Sequence, residues 1–189
     1  YEMFEIVKKN QENKYLEKYI EPIKIYNKEL PKVNVEKSVI QANITSPIVK
    51  IAVKILRKVF LDYSDLEIRI YLNLILNINF GSTSDFTDEL MQNKLITSLS
   101  SNAAIYNDYV VLVVSFNTKY PNEVIKTIIS KLDNMELNEE DFNRKIKAGL
   151  ATLILGYDDI ESVNYKIQDN IIDYNHIIDN MKEFYENIK

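Results

Sequence analysis

The chain has 189 residues, 46% hydrophobic and 27% charged, with a formal charge of −5 and a pI near 5.1. That is enough for one domain, or one and a fraction, with a sizeable core. The absence of Cys, a single His (His176) and three scattered Gly exclude disulfides, thiolate zinc, two-His metal motifs and Gly-rich phosphate loops, and an acidic chain without a basic stripe argues against nucleic acid as a partner.

Residues 1–20 carry Phe4, Val7, Leu16 and Ile20 among charges, as in a surface helix or connector. Pro22 and Pro31 mark residues 21–37 as an extended linker, because proline disfavours helix at itself and at the residue before it. The main boundary is therefore expected near residue 37. Ser38–Lys58 alternates β-branched residues around Pro47, which predicts a strand on each side of a bend. Asp62, Ser64 or Asp65 can cap a helix running to about Asn79, apolar nearly all round and so buried on more than one side. That run is too short and too polar for the roughly 20 apolar residues of a membrane span. Gly81 is placed to end it, and Thr83 or Ser84 to cap a short helix over Asp85–Asn93.

Ile96–Ile105 and Tyr109–Phe116 read as an antiparallel hairpin turned at Tyr106-Asn107-Asp108. The unbroken apolar run of the second strand predicts a central, buried position. Pro121 suits the first position of a helix carrying Val124, Ile125, Ile128, Ile129 and Leu132 at helical spacing. Asn138 can cap the next helix, and Asp158 or Asp159 a further helical region with a break near Asn170–Asn175. The predicted class is α+β: a mostly antiparallel sheet with helices packed on one face. With no initiator Met and a pattern still running at Lys189, the chain is expected to be an excerpt of a longer protein.

This order, and the segment Leu74–Ser98, resembles the pitrilysin/insulinase family of zinc peptidases. The residues that carry the resemblance are Gly81, Ser84, Phe86, Leu90 and Leu95, then Leu137-Asn138-Glu139-Glu140-Asp141-Phe142, then Phe184-Tyr185-Glu186-Asn187-Ile188. It covers roughly residues 38–189 and looks closest to a bacterial, processing-peptidase-like branch. Family members pair two α+β halves, of which the first carries an H-x-x-E-H zinc motif and the second usually lacks it. The resemblance implies that residues 38–189 are the metal-free half, and that residues 1–37 are the end of the preceding half plus the linker. No zinc ligand is expected here, and zinc is expected in the other half. Many relatives also have an Arg and a Tyr that contact substrate after the short helix. Here Met91 follows Leu90, Lys94 stands in place of a Gly and Thr97 stands near the Tyr position, so no substrate-contact residue carries over.

Other candidate groups have plain readings. His176 is expected to be a surface or turn residue, because nothing near it in sequence completes a site. Asp158, Asp159 and Glu161, like Glu139, Glu140 and Asp141, coincide with helix starts, where acids cap and favour the dipole. Lys8, Lys9, Lys54, Arg57 and Lys58 read as a solvated face, and an unpaired strand edge could accept an extended peptide by strand addition. The expected function is a non-catalytic wall of a peptide-binding chamber, with no catalytic residue in this chain. The expected partners are a zinc-bearing half, in the same polypeptide or a partner chain, and a peptide substrate, with a homodimer also compatible. The alternative is a scaffold or assembly subunit of an inactive family member. No membrane partner is expected, and the expected location is cytoplasmic.

Overall fold

A computed structural model describes residues 2–14, 25, 30–174, 177–178 and 180–188. The elements are α1 (Glu2–Glu12), β1 (Ile48–Leu56), a 3-10 turn (Arg57–Phe60), α2 (Asp65–Phe80), α3 (Asp85–Gln92), β2 (Ser98–Ile105), β3 (Tyr109–Asn117), α4 (Pro121–Asp133), α5 (Glu139–Leu155), α6 (Ile160–Tyr174) and α7 (Met181–Asn187). The sheet is wholly antiparallel with order β1-β3-β2. The predicted α+β class holds.

Alternation explains which face is covered. Val110, Leu112, Val114 and Phe116 of β3 point to one side and are buried. The register sets Val49, Ile51, Val53 and Ile55 of β1 and Leu99, Ala103 and Ile105 of β2 on that same side. Against them pack Ile68, Leu76 and Phe80 of α2, Leu90 of α3, and Val124 and Ile128 of α4. The helices thus cover one face of the sheet.

α2 is buried from two sides, as its composition predicts. Ile68, Leu72, Leu76 and Phe80 follow i, i+4 spacing into the core, while Leu74 and Ile78 lie about 200° round the helix and are also buried. The helix lies between β2 and α5. Of the candidate caps, Ser64 takes the role: its hydroxyl accepts from Glu67 N, and the Glu67 carboxylate accepts from Ser64 N at 2.8 Å. Ser64 accordingly holds Glu67 below the ordinary carboxylate range. Ser84 caps α3, Pro121 opens α4, and Asn138 Oδ1 accepts from Asp141 N to cap α5.

Three expectations need correction. The strand before Pro47 does not form: residues 38–46 have no strand partner, and Val39 and Ile40 are 83% and 87% exposed. Alternation alone cannot make a strand without a ladder to join. Gly81 does end α2, but with φ −68° rather than a left-handed turn. Its glycine is required by close approach, since a Cβ would sit 2.3 Å from Asn77 O. β3 is central, yet only one of its faces is buried.

Candidate interaction surface

The uncovered sheet face is the first candidate. By register it carries Lys50, Ala52 and Lys54 of β1, Val111, Val113 and Ser115 of β3, and Ser100, Asn102 and Ala104 of β2. Val111 and Val113 are only half-buried, and neither belongs to the core that the helices build with the other face. This is an apolar centre with a polar rim, the pattern of a surface meant for contact.

The two strand edges differ. β3 is paired on both sides, whereas β1 and β2 each pair on one side among the described residues. β1 follows Pro47 and carries Lys50 and Lys54, which discourage pairing. β2 runs Ser-Leu-Ser-Ser-Asn-Ala-Ala-Ile, with no charge and mostly short side chains around its backbone. Of the two, β2 is the better template for an added strand.

The charged clusters resolve into scaffolding. Asp159 accepts from Ser162 N at 2.8 Å at the start of α6, and the Ser162 side chain first, then this backbone bond, holds its carboxyl below the ordinary range. Arg57 fans out at the β1–α2 junction: it donates to Phe60 O at 2.7 Å and Tyr63 O at 3.1 Å, and pairs with Asp65 at 2.8 Å. Lys54 donates to Leu30 O and lies 4.4 Å from the Tyr109 ring centroid. These cations hold segments together rather than forming an anion site. His176 lies outside the described residues.

Two positions carry more than the sequence suggested. Asn79, buried at 3% exposure, bridges α2 to the loop before α5: its amide donates to Glu136 O at 2.9 Å and accepts from Glu136 N at 2.9 Å. It reads in sequence as a mere polar interruption. Lys94 is the one non-glycine with positive φ, 56°, among the described residues. Near α3 an open groove of about 510 Å³ is lined by Phe86, Lys126, Thr127, Ser130, Lys131, Asn134 and Glu136.

Zinc does not fit the described part of this chain. The chain has no Cys and one His, and among the described residues no three His, Cys, Asp or Glu side chains gather where a metal could sit. No chemical step is therefore assigned to a metal here. No described helix is long and apolar enough to cross a membrane.

No protein-family model matches the chain, and no curated protein matches it. Solved structures do match, among them that of a protein described as an M16-like peptidase, from Alicyclobacillus acidocaldarius, with TM-score 0.71 and 19% identity. The match covers 86% of this chain and 39% of that one, so the chain spans well under half the length of that protein. The likeness is one of fold.

Proposed function

We propose that this chain is a non-catalytic domain of a pitrilysin-type zinc metallopeptidase, one wall of a peptide-binding chamber closed by a zinc-bearing half. The observation that carries the reading is the fold match to under half of an M16-like protein, in a chain whose composition cannot supply a two-His zinc motif. The domain boundary falls near residue 37, with residues 1–37 the end of the preceding half plus the linker between the halves. The processing-peptidase-like branch, a bacterial origin and a cytoplasmic location belong to the same reading. Peptide would run along the β2 edge, where uncharged, mostly short side chains leave the backbone open to strand addition.

The test is reconstitution. The chain alone, with zinc, should neither bind the metal stoichiometrically nor cleave a peptide library. Added to a zinc-bearing half, it should raise cleavage several-fold and elute with it as one complex. Stoichiometric zinc binding with cleavage by the chain alone would overturn the reading. A stable complex without cleavage would favour the scaffold alternative.

A further inference from the structure

Arg144 and Lys145, neighbours near the start of α5, both reach across to one uncharged oxygen. Arg144 Nη1 lies 3.2 Å and Lys145 Nζ 3.0 Å from Thr83 Oγ1, in the loop between α2 and α3. The contacts span 61 and 62 positions of sequence, so the fold itself brings the two cations to this point. A hydroxyl has lone pairs for both but no charge to answer them. Two like charges held on a neutral group repel unless an anion joins them.

The local charges do not balance. Asp141 is the one carboxylate that pairs with either cation among the described residues: it binds Arg144 Nη2 and also accepts from Asn138 Nδ2 at 2.6 Å. Asp85, two residues beyond Thr83, pairs with neither. Lys145 is half-buried, and burial first, then Arg144, lowers its pKa, which Asp141 only partly offsets. Gly81 keeps the approach open, since a Cβ there would stand 3.1 Å from Lys145 Nζ. Thr83 and Arg144 are exposed, so a small ligand can reach all three groups.

We propose that Thr83, Arg144 and Lys145 form a binding site for a single oxyanion, a carboxylate or a phosphate group. The guanidinium and ammonium groups bind its oxygens, and the Thr83 hydroxyl rotates to donate to it. The site stands apart from the chamber reading and does not depend on it.

The test uses the full chain with inorganic phosphate and, separately, acetate, at ionic strength held constant with chloride. Amide NMR shifts at Thr83, Ser84, Arg144 and Lys145 should saturate with one or both anions. Saturation by phosphate alone identifies a phosphoryl ligand, and by acetate alone a carboxylate such as that of a peptide. The R144Q/K145Q double variant should weaken binding at least about tenfold, given about 1.5–3 kcal/mol for each hydrogen bond to a charged group. K147Q, an exposed lysine of the same helix, should bind as the parent does. A measurement on the parent alone should agree: the anion that saturates should raise the melting temperature beyond chloride. Shifts that never saturate with either anion, or that survive in the folded double variant, would overturn the proposal.

Discussion

Replacing Lys94 with glycine should stabilise this protein, although it removes a long side chain. The reason lies in the end of α3. Leu95 N donates to Leu90 O and Lys94 N to Met91 O, each at 3.0 Å. These two bonds are the paired closure of a Schellman motif, with Lys94 at its left-handed position, φ 56°. Leu90 and Leu95 both pack on the core, which supplies the hydrophobic contact that accompanies the motif. A side chain bearing a Cβ costs about 1–2 kcal/mol in this conformation. Glycine relieves that strain but makes the unfolded chain freer, worth roughly 0.5–1 kcal/mol against folding. The net gain for Lys94→Gly is then about 0.5–1 kcal/mol, or a melting temperature higher by about 1–4 °C in a domain of this size. Urea unfolding should show a higher midpoint with an unchanged slope. Lys94→Ala separates the causes, because it shortens the side chain and keeps the Cβ: it should gain nothing. If the glycine and alanine variants behaved alike, backbone strain at residue 94 would not be the cause.

Asn79→Ala should destabilise by about 2 kcal/mol, because two tertiary hydrogen bonds to Glu136 are lost together, each worth about 1 kcal/mol net; an unchanged urea midpoint would refute the bridge. Gly81→Ala should cost about 1–3 kcal/mol, since its Cβ would strike the fixed Asn77 carbonyl. Gly156→Ala should change stability by under about 1 kcal/mol, since the atom it meets is the far end of the flexible Lys166 side chain, which can shift off its weak 3.4 Å bond to Leu153 O; equal losses at the two glycines would sink the argument. Glu67, Asp141 and Asp159 are all held below their ordinary pKa, by Ser64, by Arg144 with Asn138, and by Ser162 respectively. A depressed folded pKa means the unfolded chain binds protons first, so this stability is present at neutral pH and lost as pH falls through the carboxylate range. Glu67→Gln should make the acid limb of a stability-versus-pH curve shallower, and an unaltered limb would remove Glu67 from the account.

Elements with local causes were legible in the sequence. Ser64, Ser84 and Asn138 announce helix starts because their side chains bond amides only three residues on, and all three do so. The hairpin was legible because its turn and both strands are contiguous in sequence. Non-local features were hidden. Asn79 finds its partner 57 positions away, and nothing in Asn-Ile-Asn-Phe marks which Asn will be buried. The strand expected before Pro47 fails for the same reason: Val39 and Ile40 alternate well, but a strand exists only where a neighbour offers a ladder. Thr83, Arg144 and Lys145 are unremarkable until the fold brings the α2–α3 loop against α5.

The misreading of β3 bears on the surface as well. Its continuous apolar run, Tyr-Val-Val-Leu-Val-Val-Ser-Phe, is the pattern of a strand covered on both faces. The described residues cover one. Val111 and Val113 then stand half-exposed between Ala52 on one flank and Asn102 and Ala104 on the other. Alternating polar residues would serve a solvent-facing layer better, and β2 shows that this chain has them to use, in Ser98, Ser100 and Asn102. The valines are therefore better explained by contact than by solvent. Charged substitutions separate the two: Val113→Lys should leave the melting temperature of the chain alone nearly unchanged if the face is solvated, and should abolish co-elution with the zinc-bearing half if the face is a contact. A variant that co-elutes as the parent does would remove this face from the proposed interface.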